Sequence, residues 1–308
     1  MIFNNTIIAH KDCDGLLCSA LLFKYIKNSK ILFSNAYRLR KVLCSLLFKL
    51  NEASENIKLY ILDIAPIQKT LWLSAIFNKA FWIDHHYIER LEKPSNVKIF
   101  NRKKESCFSV LLDFLERKFK LNEEIKEVER IANEIDTNNV KSQEAKKFRS
   151  FVGWYIWKYK GIVLNLELQN LAKRISANFD VNNFDISSIV DEDKVREYEE
   201  YLVSEWEKIK EKIEFREVNN KRIAFIFLEE NFPIYFLSEK LKEKSDLLCS
   251  YFKGNKVNKF ELRAFSNIDA LEIARKFGGG GHKFASGGVT KLSKDEFLKE
   301  IENFLMKN

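Results

Sequence analysis

The sequence predicts an α/β protein: a parallel sheet with helices on both faces, a long connecting helix, and a smaller α/β domain at the C-terminal end. Two patterns lead to this prediction. Apolar runs that predict strands alternate with helical patterns over the first third of the chain, which is typical of parallel sheets. Aspartate and histidine residues follow several of these runs, at the edge where ligands bind in such sheets.

The predicted elements follow one another in a simple order. Strands are expected near residues 2–9, 30–35, 57–63 and 80–83, with helices between them. Helical patterns then dominate from Ser106 to Asn178. Asp191 to Phe215 is a charged amphipathic segment with an acidic first turn, which we interpret as the connecting helix.

A second α/β unit is predicted after this helix. Its strands are expected at 222–228, 247–252 and 260–265, with a helix at 234–244 and a hairpin turn at 253–255. The predicted domains are therefore residues 1–190, a connecting helix over 191–215, and residues 216–308.

The first candidate site is His10-Lys11-Asp12-Cys13-Asp14-Gly15, which follows the strand-like run Thr6 to Ala9. Side chains alternate in an extended segment, so His10, Asp12 and Asp14 are expected on one side. Gly15 would permit a sharp turn into a helix over Leu16 to Lys27, whose N-terminal amides favour anions.

Further metal-binding residue types follow other predicted strands. Asp84, His85 and His86 come directly after the apolar run 80–83, and Asp63 ends the run 57–64. Asp136 follows an amphipathic stretch, with Glu134 as a rival. Nitrogen and oxygen ligands with a carboxylate majority suit Mn²⁺ or Mg²⁺. The candidate ligands are His10, Asp12, Asp14, Asp63, His85 and Asp136.

Several of these residues also have simpler interpretations. Asp is a preferred helix cap, which would account for Asp12 or Asp14 but not for both. Asp63, shortly before Pro66, also suits a turn. The grouping of aspartates and histidines at strand ends favours metal binding by His10 and the aspartates beside it, and the turn interpretation of Asp63 stays open on these residues alone.

A glycine-rich segment, Gly278 to Gly281, precedes His282 and is followed by Gly287-Gly288. Four consecutive glycines are compatible with a flexible linker. Their place between a predicted helix and a strand favours a backbone that approaches a ligand closely.

These motifs resemble those of the DHH phosphoesterase superfamily, in the branch that has a C-terminal DHH-associated domain and includes RecJ-like exonucleases and nano-RNases. Cys18 stands where many relatives carry Ser, and Ser286 where Ala is common. The matching segments are 10–20, 62–66 and 84–86, the acidic Asp136, and 277–288 for the associated domain.

The resemblance implies two-metal phosphodiester hydrolysis. Two divalent cations, with Mn²⁺ preferred and Mg²⁺ as the alternative, would activate a water that attacks phosphorus. Asp63 would bridge the cations. The residues expected in catalysis are His86, at the reacting phosphate or nucleophile, and Asp84, which orients a ligand. The expected substrate-binding residues are Arg263, Gly279, Gly280, Gly281 and His282.

The resemblance leaves the substrate open. A single-stranded or short oligonucleotide, DNA or RNA, is expected. One alternative is a hydrolase of cyclic dinucleotides or small phosphoesters. Another is a non-catalytic partner of replication or repair proteins. A homodimer is a further expectation for the assembly.

Composition agrees with an anionic partner. The chain has 308 residues, a net charge of +8 and 46% hydrophobic residues, which excludes a disordered class. The charge favours nucleic acid, although a general abundance of Lys would also produce it. No apolar run reaches the ~18 residues of a membrane span, and no signal peptide is evident. Five cysteines without paired spacing predict free thiols in the cytoplasm.

The stretch from Lys146 to Lys160 is rich in aromatic and basic residues. Such a stretch would suit base stacking along a single strand. The alternative is a helix that packs its aromatic face on the core, and the high density of rings favours this second interpretation.

Overall fold

The computed structural model describes residues 3–50, 56–88, 90–121, 123–179, 185–229 and 232–307, without the side chains of 49 and 50. Residue 2 of the first predicted strand lies outside the described residues, as does Asn122, the first residue of the amphipathic stretch that precedes Asp136. Residues 180–183 also lie outside them, at the end of the segment Lys141 to Asn183, which none of the family motifs covers. The chain forms two compact units, Met1–Glu199 and Glu200–Asn308. The three-part division at 190 and 215 stays a prediction.

The first unit contains a parallel sheet, as predicted. Within its described residues the strands are β1 (Asn5–Ala9), β2 (Ser29–Phe33), β3 (Lys58–Leu62), β4 (Lys79–Asp84) and β5 (Val97–Asn101). Their order is β2-β1-β3-β4-β5, and every neighbouring pair is parallel. Strand β5, which forms one edge of the sheet, was not among the predicted strands.

Helices cover both faces of this sheet. The described helices are α1 (Cys13–Tyr25), α2 (Ala36–Leu50), α3 (Gln68–Ser74), α4 (Cys107–Leu115), α5 (Glu124–Asp136), α6 (Gln143–Lys158), α7 (Gly161–Asn178) and α8 (Glu192–Ile209). Leucines of α2 and α3 pack with Ile8, Ile61 and Trp82 of the strands. Helices α1 and α4 contact the sheet and each other. The predicted architecture of the first unit is therefore confirmed.

Helix α1 is the central helix of this unit. Every residue from Cys13 to Leu22 is buried, because α1 contacts the sheet and also α4, α5 and α7. A helix that is apolar all round is stable only in such a position. The first turn of α1, which carries the candidate ligands, is thereby held by packing on every side.

The aromatic stretch lies in α6 and belongs to the core. Phe148, Phe151, Trp154 and Tyr155 are all buried. The indole Nε1 of Trp154 donates a hydrogen bond to Glu197 of α8 at 2.6 Å. The core interpretation of this stretch therefore fits the structure, and the rings are not arranged as an open stacking surface.

The second unit is a mixed sheet with helices. Its described strands are β6 (Ile213–Val218), β7 (Lys221–Leu228), β8 (Leu247–Phe252), β9 (Asn258–Ala264), β10 (Gly280–His282) and β11 (Ala285–Thr290), and its helices after α8 are α9 (Ile234–Leu241), α10 (Ala270–Lys276) and α11 (Lys294–Lys307). The order is β10-β11-β9-β8-β7-β6. Only the β7–β8 pair is parallel among these described strands.

The connecting helix is shorter than predicted. Helix α8 ends at Ile209, and after a 3-10 turn over Lys210–Lys212 the chain enters β6. Residues up to Phe215 had been expected in the helix. Asn219 and Asn220 both have positive φ, 49° and 58°, and form the two-residue turn of the β6–β7 hairpin. Asn tolerates this backbone region, which hairpin turns require.

In the part of the chain that the structure describes, no helix combines the length and apolar character needed to cross a membrane.

The packing of α6 can be tested with two tryptophans of the first unit. Trp154→Ala should lower the free energy of unfolding by about 3–5 kcal/mol, because it opens a cavity and leaves Glu197 without its donor. Trp72 is 53% exposed, so Trp72→Ala should cost about 1 kcal/mol or less. Denaturant titration followed by circular dichroism measures both. Equal losses would mean that Trp154 is not a core residue.

Candidate metal centre

Strands β1, β3 and β4 are neighbours in the sheet, so the residues that follow them meet at one edge. His10 N donates to Leu62 O at 3.2 Å, and Asp63 N donates to Ile83 O at 3.1 Å. These bonds continue the strand pairing by one residue. They bring His10 and Asp63 level with Asp84, the last residue of β4.

Asp12 is the cap of α1, so the helix begins at Cys13 and not at Leu16 as predicted. Its carboxylate accepts from Gly15 N at 3.0 Å and its backbone is extended. Asp14 is therefore helical, and the expected alternation of His10, Asp12 and Asp14 along an extended segment is wrong. Gly15 is needed for close packing and not for a turn, since a Cβ there would lie 2.4 Å from His10 O.

Asp14 is buried at the N-terminus of α4. Its two carboxylate oxygens accept from Cys107 N at 2.6 Å and Phe108 N at 3.0 Å. Unpaired amides and the helix dipole at this end stabilise a negative charge. This support for Asp14 was not among the predictions, although Ser106 before an apolar run is a recognisable start of a helix.

Asp63 lies between the imidazoles of the centre. Its Oδ2 is 3.8 Å from His10 Nδ1, and its Oδ1 is 3.6 Å from His85 Nε2 and 3.9 Å from His86 Nδ1. Its φ is +58°, a left-handed conformation that Asp adopts more readily than most residues. The two oxygens thus face different groups of ligands.

The buried Oδ1 of Asp63 accepts no hydrogen bond from any residue that the structure describes. A buried carboxylate oxygen without a donor is costly. A divalent cation on this oxygen would remove the cost. The residue types and this oxygen therefore fit the divalent cations that the sequence implies.

His85 is oriented by its surroundings. Its Nδ1 lies 3.3 Å from Lys104 O, while Nε2 lies 3.2 Å from Asp136 Oδ2. A hydrogen bond at one ring nitrogen that directs the other toward a metal is typical of metal-binding histidines. The rival carboxylate, Glu134, accepts instead from Lys141 N and the Ser142 backbone and hydroxyl, so the geometry favours Asp136.

His86 is paired with the fully buried Asp84. The distance between His86 Nδ1 and Asp84 Oδ1 is 2.8 Å. Burial lowers the pKa of His86, but this hydrogen bond and the Asp84 charge outweigh it and raise that pKa to about 9. The pKa of Asp84 is held below its ordinary value despite burial, through the same pair.

Among the other carboxylates, the pKa values of Asp14, Asp136 and Asp63 are raised, and that of Asp12 is lowered. Burial, then the charge of Asp136, raises the pKa of Asp14 to about 7. Burial, then the charge of Asp12, raises the pKa of Asp136 to about 7. For Asp63 burial and the neighbouring aspartates raise the pKa well above its ordinary value. In Asp12, burial is outweighed by His10, which lowers the pKa to about 2.

The donor atoms fall into overlapping groups, each within 4.8 Å: His10, Asp12 and Asp63; Asp14, His85 and Asp136; and Asp63 with Asp84, His85 and His86. Each group mixes imidazole and carboxylate, as divalent cations require. All six predicted ligands, and both residues predicted to act in catalysis, lie in these groups. Their roles stay predictions.

The predicted substrate-binding residues lie in the second unit. His282 pairs with Ala285, and Ala285 with Arg263, on three adjacent strands. Residues in register on neighbouring strands project to one face. His282 and Arg263 therefore flank the small Ala285, and the guanidinium of Arg263 also donates to Leu262 O at 3.0 Å.

The glycines of this segment differ in purpose. A Cβ at Gly279 would lie 2.4 Å from Gly287 O, and one at Gly281 would lie 2.5 Å from Ala285 O. These two glycines are required by internal packing. Gly280 has no heavy atom near its Cβ position, so of the predicted trio it alone borders open space. Ser286 donates to Ala270 O at 2.5 Å.

Comparison with known proteins identifies the fold. Residues 198–307 match the model of the DHHA1 domain. The pGpG-specific phosphodiesterase PggH from Vibrio cholerae has a TM-score of 0.54 and 15% identity, over 98% of this chain and 98% of that chain. An exonuclease RecJ bound to manganese has a TM-score of 0.54 and 13% identity, over 99% and 90%.

RecJ from Thermus thermophilus in complex with Mn²⁺ has a TM-score of 0.59 and 15% identity, over 99% of this chain and 52% of that chain. No curated protein matches the chain. The resemblance inferred from the motifs is confirmed: the chain has the fold of the DHH phosphoesterases and carries a C-terminal DHHA1 domain.

The burial of Asp63 leads to a prediction for the metal-free protein. A carboxyl with a raised pKa binds its proton more tightly in the folded state, so it contributes stability at low pH that is lost as pH rises above about 4. Asn is neutral and tolerates positive φ. In the absence of divalent cations at pH 8, the free energy of unfolding of Asp63→Asn should therefore exceed that of the wild type by about 1–4 kcal/mol.

Thermal and denaturant unfolding in chelator, at pH 5 and pH 8, measure this difference, which should shrink at pH 5. Added Mn²⁺ should stabilise the wild type by binding its folded state, and should stabilise the variant much less. Asp193→Asn, at a carboxylate that is 84% exposed, is the matched control. A destabilised Asp63→Asn protein at pH 8 would contradict the account of Asp63.

Proposed function

We propose that the protein is a divalent-cation-dependent phosphodiesterase that hydrolyses single-stranded or short oligonucleotides. The observation that carries the proposal is Asp63, whose two buried oxygens face different imidazole groups, 3.8 Å from His10 and 3.6 Å from His85. A carboxylate in this position suits a bridge between two cations.

The cations, when bound, would supply the charge that polarises a phosphoester and lowers the pKa of water. The protein's residues would hold them in place and position the substrate. His10, Asp12 and Asp63 form one ligand group, and Asp14, His85 and Asp136 form the other. His86, whose pKa is raised to about 9 by Asp84, would carry a proton toward a phosphate oxygen.

Basic residues beside the centre support an anionic substrate. Lys11 follows His10, and its pKa is lowered by burial and then by the nearby positive charge of Arg38. The positive charges of Lys11 and Arg38 repel each other, and an anion bound between them would relieve this repulsion. The exposed ring of Tyr37 lies beside the Arg38 guanidinium, at 5.6 Å, and would suit a nucleotide.

The second unit supplies a surface for the rest of the substrate. Arg263 and His282 flank Ala285, and Gly280, two residues before His282 on the same strand, borders open space. Arg263 also lies 3.9 Å from the carboxylate of Glu261, which a bound phosphate would replace as its partner. An Arg fork is well matched to phosphate oxygens. We propose that these residues bind the substrate away from the reacting bond.

The named functions of the similar structures support a nucleotide substrate. One is a pGpG-specific phosphodiesterase that matches over 98% of both chains, which favours dinucleotides as a second candidate. Another is the exonuclease RecJ. The grouping of all six ligands disfavours a purely non-catalytic partner protein. Manganese as the preferred ion and a cytoplasmic location are parts of this proposal.

Activity should depend on the cations and on Asp63. Chelator should abolish hydrolysis, and Mn²⁺ should restore it better than Mg²⁺, because imidazole ligands suit Mn²⁺ more. Asp63→Asn should lower kcat by about a thousandfold or more. Asn is preferable to Ala here, since Ala at φ +58° adds backbone strain of roughly 1–2 kcal/mol.

The assay uses end-labelled DNA and RNA from two to about thirty nucleotides, which also identifies the substrate and the polarity of digestion. Asp193→Asn again serves as the control. Undiminished cleavage in excess chelator, or near-normal cleavage by a folded Asp63→Asn protein, would exclude the proposed mechanism.

Binding by the second unit should appear in KM. Arg263→Ala and His282→Ala should each raise KM about tenfold to a hundredfold, because each removes one charge-assisted hydrogen bond to the substrate. The value of kcat should change little. Arg222→Ala, on β7 at the other end of the sheet, controls for removal of a cation. Bound manganese should stay constant, and its loss in either variant would contradict this division of roles.

A further inference from the structure

A basic surface extends from the metal centre along the β5 edge of the first unit. It consists of Arg102, Lys103 and Lys104, which follow β5 directly, and of Arg117 and Lys118, which follow α4. All five side chains are exposed. We refer to these residues as the β5–α4 basic surface.

This surface begins at the centre itself. Asn101, the last residue of β5, donates through Nδ2 to the carbonyls of Asp84 and His86, both at 2.9 Å. The carbonyl of Lys104 lies 3.3 Å from His85 Nδ1. The backbone on both sides of Arg102 and Lys103 is therefore attached to residues of the centre, which places these two residues beside it.

An aromatic ring holds the two arginines in place. The guanidinium carbons of Arg102 and Arg117 lie 5.1 Å and 4.7 Å from the centroid of the Phe100 ring. Lys118 lies in the same way over Phe114, at 5.7 Å. Stacking orders a guanidinium and leaves most of its N–H donors available for phosphate oxygens.

The positive charges are only partly neutralised. Asp113 pairs with both Arg102, at 3.0 Å, and Lys104, at 3.4 Å. Among the described residues no carboxylate forms an ion pair with Lys103, Arg117 or Lys118. Between residues 98 and 118 the sequence has six cationic side chains and three acidic ones, so the surface keeps a positive charge.

A simpler explanation accounts for only part of this surface. Lysines on an edge strand discourage pairing with other sheets, which explains Lys98 within β5. The β5–α4 basic surface lies beyond the ends of β5 and α4, where no strand edge needs protection. Its continuity with the centre therefore needs another reason.

We propose that the β5–α4 basic surface binds the phosphate backbone of a single-stranded nucleic acid whose end lies at the metal centre. Strands of several nucleotides would then bind more tightly than dinucleotides, without preference for sequence. The inference rests on the proposed function, because the centre determines where the strand ends. It makes the extended single strand, and not the dinucleotide, the preferred ligand.

The test compares two double variants with equal loss of charge. Arg117→Ala/Lys118→Ala removes the pair that follows α4, whose backbone is not bonded to residues of the centre in the described part of the chain, and Lys173→Ala/Arg174→Ala removes an exposed pair from α7. Binding of a labelled 20-nucleotide strand and of a dinucleotide is measured by fluorescence anisotropy in chelator, so that no hydrolysis occurs. The measurements are repeated over a range of salt concentrations.

The first variant should weaken binding of the long strand on the order of tenfold and leave the dinucleotide affinity as in the wild type. The slope of log K against log salt should fall by about 1.4, since each lost phosphate contact contributes about 0.7 for a single strand. The α7 variant should match the wild type in both. Thermal unfolding verifies that both variants are folded.

Three results would overturn the proposal: equal losses in the two variants, equal losses for the long and short ligands, or a wild type that binds both ligands alike. Binding of a linear polyphosphate of similar charge is measured as well. If Arg117→Ala/Lys118→Ala weakened only the binding of polyphosphate, nucleic acid would be excluded as the ligand. Absence of cleavage at any length with Mn²⁺, with the binding results as expected, would refute the hydrolase function alone.

Discussion

The structure of the first unit depends on the burial of several carboxylates in one place. Asp14, Asp63 and Asp84 are almost fully buried, and isolated buried charges cost several kcal/mol each. The fold offsets part of this cost at Asp14, through the amides of α4, and at one oxygen of Asp84, through His86, while the second oxygen of Asp84 has no donor among the described residues. Asp63 keeps one oxygen without a donor among the described residues. Among the predicted metal ligands with buried carboxylates, Asp63 therefore has the oxygen that gains most from a bound cation.

Such a residue can be tolerated because the surrounding scaffold is rigid. The centre stands on three adjacent parallel strands whose ends are joined by backbone hydrogen bonds, from His10 to Leu62 and from Asp63 to Ile83. Helix α1, buried on all sides, fixes Asp12 and Asp14 from the other direction. A functional site needs this kind of support, since its ligands must keep their positions against mutual repulsion.

The sequence predicted the meeting of the ligands better than their local conformations. Parallel strands end at one edge, so residues after β1, β3 and β4 had to converge there. The start of α1 was misjudged because an Asp cap and an extended segment look alike over three residues. Strand β6 was missed because its charged residues resemble those of α8, although Asn219 and Asn220 were a usable turn signal. The glycine segment predicted close approach of the backbone to a ligand, which stays a prediction, whereas Gly279 and Gly281 approach the protein's own strands.

Charge distribution was beyond the reach of the sequence for a different reason. The net charge of +8 is a sum that combines the negative charges of the centre with the positive charges of other surfaces. Only the fold shows which of these charges are neighbours. At physiological salt, screening limits the electrostatic influence of an exposed charge to a range of about 8 Å. A phosphate near the aspartates is therefore repelled until cations are bound, whereas a phosphate over Arg117 meets a positive charge that no described carboxylate pairs with. Binding of the reacting phosphate should thus be strengthened by cations, and binding of the following nucleotides should not depend on them.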